Sequence, residues 1–354
     1  MPKDAASSLP SPRTLPELIA RRASERPAGV VYSFLPDGEG EAQPLTWSAL
    51  DRRARAVAAG LAESGAAAER VLLLYPPGLD YVVGFLGCLY AGATAVPVYP
   101  PRPNRPMPRL LAIRDSARAR FALAPAALRP RLTGPLGPGV EVADLEELAA
   151  AGSEAWRDPG IGAETLAFLQ YTSGSTAEPK GVMLDHGNLL ANLELIRDGF
   201  ALTPEDRAVF WLPPYHDMGL IGGLLEPLLT GYPVTLMAPV AFLQKPLRWL
   251  QAISDTRATV SGGPNFAYEL CVSQIPEEQR KALDLSSWQV AFNGAEPVRR
   301  ATLDRFAEAF GPCGFRRSAF VPCYGLAEAT LLVAAGGEKT SDGSDRSDRS
   351  VRSS

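Results

Sequence analysis

The sequence predicts an α/β fold made of two βα-layered subdomains with parallel-rich sheets, each flanked by helices. Three observations carry this. Short apolar runs at 70–75, 95–99, 166–171, 234–237, 289–292 and 319–323 read as strands buried on both faces, as parallel strands are. Stretches of helical length at 46–64, 79–90 and 298–310 lie among them. Strands alternating with helices in this way are the mark of βαβ units.

In chain order, residues 14–26 form a helix with Leu15, Leu18, Ile19 and Ala23 on one face and Thr14 as its cap. A strand at 30–35 ends at the Asp37-Gly38 turn, and Thr46 opens a long helix stopped at Gly65. Strand 70–75, helix 79–90 and strand 95–99 follow. Residues 81–98 carry no charge, which is the length of a minimal membrane span. Gly84, Gly87, Gly92 and Pro97 interrupt that run, so a buried helix and a buried strand are expected, and no integral membrane segment. Tyr99-Pro100-Pro101-Arg102-Pro103 is a rigid connector. A helix at 109–120 with a solvated basic face, strands at 121–124 and 140–142 around a loop at 134–139, and segment 146–156 close the first half.

After a strand at 166–171 and a helix at about 187–200, the alternation continues. Strands are expected at 208–212, 234–237, 258–261, 289–292 and 319–323, and helices at 218–229, 246–255, 265–274 and 298–310. The expected organisation is a disordered stretch at 1–13, a unit at 14–335 dividing near 165/166, and a disordered tail at 336–354. Within that tail Ser341 to Ser350 contains no apolar residue, too little to offset chain entropy.

With 354 residues the chain can bury a substantial core, and 46% hydrophobic against 21% charged residues is the balance of a globular protein. A net charge of −4 argues against nucleic acid or an anionic membrane as a bulk partner. Cys88, Cys271, Cys313 and Cys323 show no metal-like pairing, and His186 and His216 are the only histidines, which argues against zinc. Scattered thiols and a polar start without a signal peptide fit the cytoplasm.

The chemistry gathers in a few segments. Thr172-Ser173-Gly174-Ser175-Thr176-Ala177-Glu178-Pro179-Lys180-Gly181 follows an apolar strand and packs hydroxyls, glycines and a lysine into one loop. Glycine amides can turn towards an anion, and Lys180 supplies a mobile charge suited to phosphate. The spacing is not that of the P-loop, because Pro179 precedes Lys180 and Gly181 follows it. Tyr215-His216-Asp217-Met218-Gly219-Leu220 places a His-Asp pair at a helix start, either to meet an anion or merely to cap the helix. Asn293-Gly294-Ala295-Glu296-Pro297 and Tyr324-Gly325-Leu326-Ala327-Glu328 each follow a strand directly. There small residues could admit a flat ring, Tyr324 could stack on a base and Glu328 could hold Mg²⁺. Ordinary turns with a buried tyrosine and a solvated glutamate remain the alternative.

In their order and setting, these segments resemble the adenylate-forming superfamily of AMP-dependent synthetases and ligases. With Pro97-Val98-Tyr99-Pro100-Pro101 and Gly262-Gly263-Pro264-Asn265-Phe266-Ala267-Tyr268, residues 14–335 are similar to the N-terminal domain of a fatty acyl-AMP ligase. Ala177 stands where the common loop has Gly, and Ala327 where many relatives have Thr. The resemblance implies that Thr172, Ser173, Gly174, Ser175, Thr176 and Lys180 cradle the phosphates of ATP. It implies that Gly294, Ala295, Glu296 and Tyr324 frame adenine, that Glu328 holds Mg²⁺, and that His216 sits near the reacting carboxylate. Met218, Phe266 and Phe292 would line an acyl tunnel. Lys180, His216 and Glu328 would then be the catalytic residues.

The implied reaction joins a medium- or long-chain fatty acid to AMP, with pyrophosphate leaving. The acyl group would then pass to phosphopantetheine on an acyl carrier protein or a polyketide or nonribosomal peptide synthase carrier domain. Members of the family continue into a small C-terminal domain bearing a catalytic lysine, and nothing after Glu328 resembles it. A truncated ligase of impaired activity is therefore expected. Half of a long-chain acyl-CoA synthetase, or a non-catalytic acyl- or nucleotide-binding fragment, are the alternatives.

Overall fold

The apolar runs become strands of two mostly parallel sheets. The computed structural model describes residues 11–101, 106–172 and 179–336. The expectations for positions 1–10, for Ser173, Gly174, Ser175 and Thr176, and for the tail from 337 lie outside the described residues.

In chain order, β1 (Val30–Leu35) and β2 (Gln43–Thr46) form a hairpin. There follow β3 (Arg70–Leu73), β4 (Thr94–Pro97), β5 (Phe121–Leu123), β6 (Glu141–Ala143), β7 (Leu166–Tyr171) and β8 (Gly181–Asp185). The remaining strands are β9 (Ala208–Phe210), β10 (Val234–Met237), β11 (Val260–Gly263), β12 (Val290–Asn293), β13 (Phe320–Gly325) and β14 (Leu332–Ala335). One sheet has the order β6-β5-β3-β4-β7-β8, the other β14-β13-β12-β11-β9-β10-β1-β2. Pairing is parallel except at β8, β2 and β14, where the chain turns straight back along its neighbour.

The sheets do not divide at 165/166. β1 lies parallel to β10 in the eight-stranded sheet, and β7 lies beside β4, with Ala95 opposite Phe168, in the six-stranded one. A local apolar pattern specifies a buried strand without saying which strand it will neighbour. Two further expectations are corrected. The segment 181–185, where the sequence predicts no element, is the strand β8, paired antiparallel with β7. Part of the expected loop at 134–139 belongs to the helix Arg129–Leu136, because Leu132 and Leu136 bury one turn apart.

The charge-free stretch resolves as expected into the buried helix Leu79–Tyr90 and β4. Among the described residues no helix is long and apolar enough to cross a membrane. Behind β11 and β12, Trp249, Tyr268, Trp288 and Phe306 pack mostly edge to face, with Trp249 and Trp288 centroids 5.4 Å apart. Trp249 Nε1 donates to Ser261 Oγ at 2.8 Å, so this buried cluster also fixes the strand. The two sheets are joined by buried hydrogen bonds around one turn. Tyr81 Oη donates to Pro214 O at 2.6 Å, Tyr215 Oη to Tyr75 O at 2.7 Å, and Gln170 Nε2 to Tyr215 O at 3.0 Å. That turn leads into His216.

Candidate active site

The turns that follow β12 and β13 lie side by side, since the strands pair in parallel with Asn293 opposite Pro322. Ligands of open α/β sheets gather at such carboxyl ends. A Cβ on Gly294 would stand 2.7 Å from Cys323 Sγ and 2.8 Å from Cys323 O, so only glycine lets one turn pass over the other. Ala295 then adopts φ +66°, an uncommon angle for a residue with a side chain and one concentrated at functional sites. Glu296 is already engaged: its Oε1 accepts from the Phe266 N–H at 2.7 Å, at the start of the helix Asn265–Gln274. Tyr324 is 63% exposed beside Ala295.

Glu328 is exposed on the short turn Ala327–Ala329. The next residue, Thr330, has φ 71° and ψ −65°, and Leu331 N donates to Ala329 O at 2.9 Å. This is the rare, strained γ-turn, which reverses the chain into β14. Its position is held by Asn192, buried in the helix His186–Gly199. Asn192 Nδ2 donates to Ala329 O and Leu332 O, and its Oδ1 accepts from Leu332 N at 2.9 Å. The helix that follows the phosphate-loop hairpin is thereby fastened to the segment bearing Glu328. Met183 of β8, Asn188 and Glu328 line one shallow cleft.

The loop itself is anchored at both ends to the helix Pro108–Ala117. Arg109 donates to Thr172 O at 3.1 Å, Ser116 Oγ to Pro179 O at 3.3 Å, and Tyr171 Oη to Ser116 Oγ at 3.0 Å. Lys180 is exposed at the entry to β8.

Beneath Ala295 and Tyr324 opens an apolar cavity of about 180 Å³. His216 stands at that mouth with Ala295 and Tyr324; Met218 and Phe292 form walls. Phe292 lies between Phe200, stacked at 6.3 Å, and Phe210 at 5.9 Å. Phe266 does not join them. It is 43% exposed and rests edge-on against Trp211, because the Glu296 contact turns the start of its helix outward.

His216 Nδ1 lies 2.6 Å from Asp217 Oδ1, and this contact raises the imidazole above its ordinary value of 6.5 against the opposing effect of burial. An imidazole whose charged form is favoured, at the mouth of an apolar cavity, is suited to a carboxylate. The expected helix at 218–229 is two elements, a π-helix at Met218–Leu225 and a helix at Glu226–Thr230. The wider coil is common at functional sites. A Cβ on Gly219 would lie 2.1 Å from Pro213 O, and Gly222 opens the cavity wall.

Sequence reasoning passed over Glu226, which is fully buried yet lines the cavity, and Asn192. Glu226 had a legible signal, being the sole charge between Asp217 and Lys245. Asn192 had none, since an asparagine within a helix reads as surface.

Two parallel-rich sheets whose strand-end turns overhang an apolar cavity match the large N-terminal domain of adenylate-forming enzymes. The chain belongs to the family of AMP-binding enzymes, whose pattern it matches over residues 19–352. It is 46% identical over 336 residues to the medium-chain-fatty-acid–[acyl-carrier-protein] ligase JamA of Moorena producens, covering 92% of this chain and 57% of that one. To the long-chain-fatty-acid–AMP ligase FadD32 of Mycolicibacterium smegmatis it is 37% identical over 356 residues, 94% of this chain and 55% of that one. Among solved structures, a fatty acyl-adenylate ligase from L. pneumophila in complex with acyl adenylate and pyrophosphate superposes with a TM-score of 0.88 at 45% identity, covering 92% and 57% of the two chains. The chain thus spans a little over half the length of the relatives it matches.

Proposed function

We propose that this chain forms the ATP- and acid-binding part of a fatty acyl-AMP ligase. In that role a fatty carboxylate attacks the α-phosphorus of ATP to give acyl-AMP and pyrophosphate. The observation that carries the reading is the apolar cavity whose mouth holds a His-Asp pair directly beside Ala295 and Tyr324. The names of relatives such as JamA and the L. pneumophila ligase support the same reading.

The protein's part is positioning and charge, since nucleotidyl transfer needs little covalent help. The cavity takes the acyl tail and excludes water from it. Asp217 favours the protonated form of His216, which would hold the carboxylate at the mouth with its oxygens towards the nucleotide. Ala295, with Gly294 behind it, and Tyr324 offer a backbone edge and a ring face to adenine. Thr172, Ser173, Gly174, Ser175, Thr176 and Lys180 take the phosphates, and Lys180 offsets charge on the departing pyrophosphate. Among the described residues no cluster of three or more His, Cys, Asp or Glu could hold a metal unaided. A lone exposed Glu328 nonetheless fits Mg²⁺, which takes one or two carboxylates and completes its shell with phosphate oxygens and water. When bound, Mg²⁺ would neutralise phosphate charge.

The acceptor in this reading is a carrier protein, through its phosphopantetheine thiol; the name of JamA specifies an acyl carrier protein. The cytoplasm is its proposed location, in keeping with four free cysteines, three of them buried. The test is calorimetric titration of the chain with a decanoyl-sulfamoyl adenosine, a stable mimic of acyl-AMP. Micromolar binding, at least about a hundred-fold tighter than AMP or decanoate alone, is expected of a site that joins both halves. No binding of the conjugate would refute the proposal.

A further inference from the structure

The floor of the cavity is its least expected feature. Val260, Tyr232 and Glu226 line it and are all buried, Glu226 at 0% exposed, in contrast to exposed Ala295 and Tyr324. Glu226 Oε1 accepts a hydrogen bond from Thr230 Oγ1, but Oε2 is buried with no hydrogen-bond partner. Arg197 acts on it only as a charge at a distance, outweighed by burial, and its Nε donates to Asp198 Oδ1 at 2.8 Å. Burial pushes the carboxyl up to about 8, so near neutrality it is largely protonated and presents a donor as well as an acceptor. A tunnel serving plain alkyl chains gains nothing from such a group. A methyl terminus pressed against it would leave Oε2 as unpaired as it already is, whereas a hydroxyl could pair it.

We propose that Glu226 makes the cavity selective for acyl chains bearing a hydroxyl at their distal end, which would complete the hydrogen bonding of Oε2. This deepens the ligase reading and rests on it. Affinity for unsubstituted chains then rises with length as apolar surface is buried, and levels off once the methyl group meets Glu226. At that length the ω-hydroxylated chain takes over. The comparison isolates the floor, because both series share the adenosine anchor and the same cavity walls.

The experiment titrates the chain with two series of acyl-sulfamoyl adenosines, hexanoyl to tetradecanoyl, unsubstituted and ω-hydroxylated. At one chain length the hydroxylated member is expected to bind at least about ten-fold tighter than its partner, because a site built to pair a hydroxyl rejects the analogue lacking it. Glu226→Leu, checked for folding by circular dichroism, should abolish or invert that preference. Equal affinity of the two series at every length overturns the inference and leaves the ligase reading standing. A preference that survives in folded Glu226→Leu removes Glu226 from it. Failure of both series to bind overturns inference and ligase reading together. Should Glu226→Leu not fold, the crossover in the wild-type chain alone decides.

Discussion

The cavity proposed for the acyl chain and the turns proposed for the nucleotide meet at Ala295, yet they are made on opposite terms. The cavity is cut from the main core: Phe210, Val260 and Tyr232 line it while packing among the strands and helices that hold the protein together. The groups proposed to face the nucleotide, Tyr324, Lys180 and Glu328, are exposed to solvent. Hydrophobic binding can be preformed by folding, because the surface that receives the tail is the surface that packs. Charged binding groups cannot be buried without partners and so wait at the surface for a ligand to desolvate them. The two halves should therefore respond separately to mutation.

The largest separation is expected from Gly222→Leu. A Cβ there meets only the flexible end of Leu331, at 3.3 Å, so the fold tolerates the change while the side chain fills the cavity. Overpacking of about 1–3 kcal/mol would weaken acyl binding by up to roughly a hundred-fold and leave ATP binding untouched. Calorimetry with decanoate and ATP reads both. Lys180→Ala is the converse. Losing a charged contact of about 1.5–3 kcal/mol should cost ATP roughly ten-fold or more in affinity, with acid binding unchanged. Equal losses on both sides in either variant would mean that the halves are not separable.

Asn192→Ala attacks the clamp between them. It removes the Asn192 Oδ1 acceptor of Leu332 N and frees the turn bearing Glu328. A loss of about 1–3 kcal/mol and a drop of a few degrees in Tm are expected, measured by calorimetric melting. A fourth, smaller effect depends on pH. Glu226 is raised from 4.5 to about 8, so between those values the folded chain holds a proton that the unfolded chain has released. Stability from this group is fully present below about 4.5 and is lost as pH rises through about 8. Glu226→Gln does not titrate, so its Tm relative to wild type should climb steadily from pH 5 to 8.5. His186, buried, accepting from Leu15 N and lowered to about 4, works in the other direction as pH falls below 6.5. It is common to both proteins and cancels from the difference.

Much of this arrangement was legible in the residues. The helices at Trp47–Glu63 and Leu79–Tyr90 fall where the pattern of capping and burial placed them, and Thr46 caps the first through the Ala49 N–H. His216, Met218, Phe292, Ala295 and Tyr324 do converge on one cavity. What escaped was non-local. The exchange of β1, β2, β7 and β8 between sheets depends on pairing partners far away in the chain. β8 itself is five residues of mixed burial, too short to declare a period. Phe266 looks like a tunnel residue only until the Glu296 contact turns its helix, and Glu226 hid because a carboxyl is presumed to face water.

The central claim is that one cleft holds the adenosine above Ala295 with the acyl tail running down to Glu226. A crystal structure of the chain with decanoyl-sulfamoyl adenosine tests it most directly. Adenine between the 293–297 turn and Tyr324, sulfamate near His216 and the tail enclosed by Met218 and Phe292 is the predicted result. Density for the tail outside that cavity, or for adenine away from Tyr324, would contradict it.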